Sequence, residues 1–324
     1  MYWRESWVGS WMPPSLQHDS TCNVRDTHHK IASKFYKRPF AGIIIRSSVS
    51  LSFKVLGDSL EPDAPPVILL HGLLGKKTHW ESVGKTIMNT AKRGVVVADL
   101  RNHGDSPHTS SHTYIDLAED VRDLVKKLNI DKTTLLGHSM GGRTAMSLAL
   151  MKPTVVSNLI VVDVSPVSSP GKMDDFFPRL WDVMKSVKFE AKTLATARQE
   201  ALHRLKESGV VEDFPTLNFL LMNVIERKNG QFGWMCNVVV LQKHFEYIAS
   251  FPLELAGKFY QGPTLFIAGG ESNYVPLSDT KGIREFFPQA EIQFVKKAGH
   301  NVHFDAPDTF LSLVTTFIRE YSLK

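Results

Sequence analysis

Gly137-His138-Ser139-Met140-Gly141 has the residue types and spacing that turn a serine into a nucleophile. It follows the apolar run Thr134 to Leu136 and precedes the helical pattern Ala145, Leu148, Ala149. Strand, GxSxG and helix thus come in the order that holds a serine at the strained apex of a sharp turn. The flanking glycines fit, because a Cβ there would collide with the neighbouring strand and helix. The hydroxyl then stands at the positive end of a helix. A chance glycine-rich loop is the plain alternative, and the flanking pattern argues against it. The chemistry implied is acyl transfer onto Ser139.

A hydroxyl attacks poorly until a base takes its proton. Ala298-Gly299-His300 directly follows the strand pattern Ile292 to Lys296, where a terminal-strand loop can present that base; position selects His300 among thirteen histidines. His303 and Asp305 lie close by, but no cysteine or further carboxylate completes a ligand set, so neither metal nor cofactor is expected. An acid must orient the imidazole and stabilise its charged form. Its usual loop is Ile267-Ala268-Gly269-Gly270-Glu271-Ser272-Asn273, yet Asn273 stands where an aspartate would be expected. Asp163, at the end of the preceding strand in Val161-Val162-Asp163-Val164-Ser165-Pro166, is favoured, with Glu271 in reserve. An aspartate before Ser-Pro also commonly pins a loop. His71-Gly72-Leu73-Leu74-Gly75 follows another strand, and the N–H groups of Leu73 and Met140 are the expected oxyanion donors. The turn from Asp99 to Pro107 reads as structural, with Arg101 and Asp105 pairing or bonding backbone.

Positioning these groups takes a layered scaffold. Val49, Leu51, Phe53 and Val55 alternate with polar residues, as in an edge strand wet on one face. Short buried runs follow at Val67 to Leu70, Val95 to Leu100, Thr134 to Leu136 and Leu159 to Val164, separated by helical patterns such as Leu117, Val121, Leu124, Val125 and Leu128. That alternation implies a mostly parallel sheet covered on both faces. After Pro170 it breaks, and helices are expected over 176–188, 194–207, 219–226 and 239–248, forming a lid at about 170–255. Strands resume at Thr264 to Ala268 and Ile292 to Val295, and a helix over Thr309 to Tyr321 closes the domain. Phe176, Phe177, Leu180, Trp181 and Phe219 to Met222 could line an acyl pocket or simply form core.

The chain has 324 residues, 43% of them apolar, and a formal charge of +5 without runs of like charge. It can bury a large core, and no nucleic-acid arm is expected. Cys22 and Cys236 form no CxxC or disulfide framework, which suggests a reducing, intracellular compartment. No apolar run approaches the roughly 18 residues that read as a membrane span, so a soluble or peripheral protein is expected. Residues 1–45 read as a tail. Arg4, Arg25, Lys30, Lys34 and Arg38 suit a mitochondrial targeting segment, whereas Glu5, Asp19 and Asp26 suit an ordinary disordered tail. Residues 46–324 are the expected catalytic domain.

Four strings, His71 to Gly75, Arg101-Asn102-His103-Gly104-Asp105-Ser106-Pro107-His108, Gly137 to Gly142 and Val162 to Val167, together resemble the alpha/beta-hydrolase-domain-containing protein eleven group and its bacterial esterase relatives. The likeness runs from about Leu51 to Phe317. It implies an α/β-hydrolase fold: a mostly parallel eight-stranded sheet with helices on both faces and a helical lid. It also implies a serine esterase or lipase acting on lipid esters, with diacylglycerol lipase activity in the animal members. Residence in the mitochondrial matrix is implied too, with the cytoplasm as the alternative outside the resemblance, and so is association with the 2-oxoglutarate dehydrogenase complex. Some members are assigned a lid acid at the position of Val239; valine cannot serve, which either moves the role to Asp163, as in the bacterial relatives, or leaves the triad incomplete. A haloalkane dehalogenase or epoxide hydrolase would need an aspartate nucleophile at Ser139. A second reading, from another class, makes the chain a protective partner of that complex with incidental hydrolysis. Retention of the partner effect by Ser139→Ala would favour it.

Overall fold

The computed structural model describes residues 48–57, 60, 64–169 and 173–321. The expected N-terminal tail and Cys22 lie outside them. Elements follow in chain order. β1 (Phe53–Leu56), β2 (Val67–Leu70), α1 (Glu81–Ala91), β3 (Val95–Ala98), α2 (Tyr114–Lys127), β4 (Thr133–His138), α3 (Met140–Met151) and β5 (Val156–Val162) form the first half. The insertion comprises α4 (Met173–Ser186), α5 (Leu194–Glu207), α6 (Phe214–Leu221), β6 (Val224–Glu226), β7 (Phe232–Trp234), α7 (Val238–Lys243) and α8 (Phe245–Ala249). β8 (Thr264–Gly269), α9 (Thr280–Phe286), β9 (Ala290–Val295), α10 (Val302–Asp305) and α11 (Pro307–Glu320) complete the chain.

Among the described residues the main sheet has seven strands in the order β1-β3-β2-β4-β5-β8-β9, not the eight expected. Only β1 is antiparallel to its neighbour. β2 and β3 are buried at every residue, as unbroken apolar runs require when both faces of a parallel sheet are covered. Alternate side chains then enter two cores. Ile68, Leu70 and Val96 meet Leu117 and Val121 of α2, Ala145 of α3 and Ile283 of α9. Val67, Leu69 and Val95 meet Ile87 of α1 and Phe310 and Val314 of α11. α2 begins where the Thr113 side chain accepts the Asp116 N–H, a cap that stops the helix extending backwards.

The insertion has its own core, in which Leu180, Trp181, Leu205, Leu220 and Leu241 are buried and Phe176, Phe177 and Phe219 pack against them. The plain reading of these apolar residues therefore holds for most of them. The helix expected over 219–226 is corrected: α6 ends at Leu221 and the chain turns into the β6–β7 hairpin. Asn229-Gly230 between short β-prone runs was the available signal; Gly230 takes φ +77°. Cys236 is buried in the insertion, and desolvation pushes its thiol up to about 12. No helix among the described residues is long and apolar enough to cross a membrane.

Candidate active site

Ser139 is the single residue between β4 and α3, at φ 52° and ψ −118°. A non-glycine residue adopts that backbone only under constraint. The constraint is visible: the Ser139 N–H donates to Val162 O at 3.0 Å, and a Cβ on Gly137 would overlap the Gly141 carbonyl. A Cβ on Gly141 would likewise meet the Leu70 carbonyl on β2. The Ser139 turn is thus closed by strand, helix and neighbouring strand. The Ser139 hydroxyl makes no hydrogen bond with a described residue, which leaves it able to receive a base as substrate enters.

His300 follows β9, and its Nδ1 donates to Asp163 Oδ2 at 2.8 Å. Nδ1 carrying the proton leaves Nε2 as the basic atom. Asp163 is wholly buried beyond the end of β5, itself at φ 48°, while His300 is 28% exposed. The carboxylate also accepts the Gly269 N–H at 2.8 Å on Oδ1 and the Ser272 hydroxyl on Oδ2. Three donors hold it in one orientation, and one of them is the imidazole. Glu271 is exposed and, among the described residues, is tied only through its N–H to Ala298 O at 2.9 Å. Asn273 is exposed as well, and Val239 on α7 is 66% exposed.

Two further groups, neither given a role by sequence reasoning, touch His300. The Tyr274 ring stacks on His300 with centroids 3.7 Å apart, and burial together with the Asp163 charge pushes its hydroxyl up to about 12. His138, next to Ser139 in the chain, donates from its ring Nε2 to the His300 backbone O at 2.9 Å, so its side chain ties the Ser139 turn to the His300 loop. Tyr274 falls in no periodic or spaced pattern that would have singled it out, and His138 stands at a freely variable position of the GxSxG string. The N–H groups of Leu73 and Met140, the expected oxyanion donors, have no hydrogen-bond partner among the described residues.

The Asp99 to Pro107 turn is structural, with one refinement. Arg101 pairs with Asp116 at 3.7 Å and Asp120 at 2.6 Å, whereas Asp105 pairs with Lys77. Asp120 is nonetheless held above the ordinary carboxylate value, because desolvation outweighs its guanidinium partner. His303 is a packing residue that stacks on Trp80 at 4.6 Å.

Burial keeps a set of imidazoles neutral around the site. Desolvation lowers His71, His103 and His303 from the ordinary 6.5 to about 3, and His79 to about 4. His138 and His112 are lowered well below 6.5 for the same reason. The unfolded chain binds these protons near 6.5 and the folded chain does not, so stability is present in full above that pH and is lost as pH falls towards 4 and 3. The melting temperature should be flat between about pH 8 and about pH 7, then fall steeply towards about pH 4. A melting temperature independent of pH across that interval would mean that water reaches these rings.

The alpha/beta hydrolase fold family model matches residues 65–307. The chain is 42% identical over 263 residues to "sn-1-specific diacylglycerol lipase ABHD11" of Mus musculus, covering 80% of this chain and 83% of the relative. It is 30% identical to "Esterase YbfF" of Escherichia coli, over 79% of this chain and 93% of that protein. A solved "Marine microorganism esterase" superposes with a TM-score of 0.72 at 31% identity, covering 83% of this chain and all of the other.

Proposed function

This chain belongs to the alpha/beta hydrolase family, in the alpha/beta-hydrolase-domain-containing protein eleven subfamily, and is a carboxylic ester hydrolase; from that premise we propose that it cleaves acylglycerol lipids, diacylglycerol foremost, through Ser139, His300 and Asp163. The observation that carries the mechanism is the 2.8 Å bond from His300 Nδ1 to the buried Asp163 carboxylate beside the strained Ser139 turn. The substrate class rests on the names of the relatives.

In this mechanism His300 Nε2 takes the Ser139 proton as Oγ attacks the ester carbonyl. Asp163 holds the resulting imidazolium, and the N–H groups of Leu73 and Met140 stabilise the oxyanion. The tetrahedral intermediate collapses, His300 returns the proton to the departing glyceride alcohol, and an acyl-Ser139 ester remains. Water, deprotonated by His300, then releases the fatty acid and restores the serine. Mitochondrial residence and association with the 2-oxoglutarate dehydrogenase complex enter the proposal from the family resemblance alone.

The test is fatty-acid release from diacylglycerol in mixed micelles, beside a short water-soluble ester. Release from both, blocked by prior treatment with a fluorophosphonate, is expected. Turnover of the soluble ester without any acylglycerol cleavage would sink the lipid reading and leave the esterase.

A further inference from the structure

The loop expected to supply one oxyanion donor is held from two sides at a single residue. Leu74, directly after Leu73, is buried and sits at φ 61°, a left-handed conformation that a leucine does not adopt unaided. Its N–H donates to His103 Nε2 at 3.1 Å. His103 Nδ1 donates to Arg101 O at 3.0 Å, which fixes the tautomer that makes Nε2 an acceptor. The Leu74 carbonyl accepts from Asn223 Nδ2 at 2.8 Å. His103 belongs to the core loop between β3 and α2, whereas Asn223 belongs to the insertion, between α6 and β6.

Asn223 is itself buried and rigidly placed. Its N–H donates to Leu220 O at 2.9 Å, and its carbonyl accepts the Met235 N–H at 2.6 Å, so it joins the end of α6 to the hairpin. Other contacts seat the insertion elsewhere. The Asn237 N–H donates to Asn102 O at 2.9 Å, and Arg143 Nη1 on α3 donates to Ile248 O and Ala249 O at 3.1 and 2.7 Å. Asn223 differs from these because its bond ends on the oxyanion loop.

We propose that Asn223 is a positioning residue for the oxyanion site, so that the Leu73 N–H is correctly aimed only while the insertion is seated on the core. The inference rests on the reading of Leu73 as an oxyanion donor. Donor placement matters steeply: loss of one oxyanion donor costs about a hundred- to a thousandfold in kcat, and an error of about 1 Å in placement costs about a hundredfold. With Asn223 unable to donate, Leu74 keeps the His103 bond on its N–H and the loop keeps the Gly75 N–H to Gly72 O bond at 2.9 Å, but the Leu74 carbonyl loses its buried polar tie to the insertion and can shift.

The experiment compares wild type with Asn223→Leu and Asn223→Ala. Both remove the donor and leave the backbone bonds of that residue in place. Each protein is first shown to be folded by thermal melting and is active-site titrated with a fluorophosphonate. It is then assayed on a short-chain ester and on its thionoester, whose sulfur is a poorer acceptor and draws less on the oxyanion donors. In the folded variant kcat on the ester should fall about ten- to a hundredfold with KM nearly unchanged, and the preference for ester over thionoester should fall about tenfold. A purely structural tie would lower both substrates in parallel. An unchanged preference in either folded variant overturns the inference, whatever happens to kcat. The outcome is separable from the function proposed above: hydrolysis surviving in Ser139→Ala sinks that function, whereas loss in Ser139→Ala with an unchanged preference in the Asn223 variants sinks only this inference.

Discussion

Ser139→Ala should lower kcat/KM for a soluble ester by about ten-thousandfold to a millionfold while changing folding stability by no more than about 1 kcal/mol. The two halves of that expectation have one cause. The hydroxyl makes no hydrogen bond with a described residue, so its removal strands no partner. The unusual backbone at φ 52° is imposed by the Val162 carbonyl and by the close approach of Gly137 to Gly141, neither of which depends on the side chain. What the alanine lacks is the atom that forms the acyl-enzyme. Peptide mass spectrometry after fluorophosphonate treatment locates the adduct independently, and it is expected on the peptide containing Ser139. An adduct on another residue, or activity in the variant within about tenfold of wild type, would falsify the assignment.

Asp163→Asn should reduce kcat by about ten-thousandfold, and Glu271→Gln should leave it within about twofold. The larger effect follows from the hydrogen bonds around the carboxylate. Gly269 N–H requires an acceptor at Oδ1, and the asparagine oxygen will stay there. The amide NH2 then faces His300 Nδ1, where an acceptor stood at 2.8 Å. The imidazole answers by moving its proton to Nε2, the atom that must be bare to receive the Ser139 proton. Geometry survives while the base is lost. Glu271 has no such place, because its side chain is exposed and, among the described residues, only its N–H is engaged, with Ala298 O. Steady-state kinetics of both variants on one soluble ester decides the matter; a collapse in Glu271→Gln with Asp163→Asn active would transfer the role to Glu271.

Ser139 and His300 could be singled out as candidate nucleophile and base because both candidacies depend on local order. Gly137 to Gly141 between a buried strand and a helix, and His300 after the last strand, are features of contiguous chain. The two-faced sheet was legible for a similar reason: Val67 to Leu70 and Val95 to Ala98 are apolar without alternation, which a strand tolerates only with both faces covered. The β6–β7 hairpin was missed because Val224-Ile225 continued a helix-like apolar run, and its turn dipeptide lay four residues further on. Asn223 and Tyr274 left no trace at all. Their partners, Leu74 at 149 residues' separation and His300 on another loop, are chosen by packing rather than by spacing.

By itself, then, the sequence determined which residue could attack, which histidine could serve it, and that a helical insertion interrupts a parallel sheet. Only the tertiary structure decided between Asp163 and Glu271 as the hydrogen-bond partner of His300, because that choice depends on β5, β8 and β9 lying side by side and parallel, with β5 ending opposite Ile267 so that Asp163 reaches the Gly269 N–H and His300. It also decided that most insertion aromatics fill a core, and that the loop bearing Leu73 is gripped by both core and insertion. The physical reason is the same in each case. Strand periodicity and turn chemistry are encoded over a few consecutive residues, whereas a hydrogen bond between distant loops exists only after two cores have packed and brought its donor and acceptor within about 3 Å.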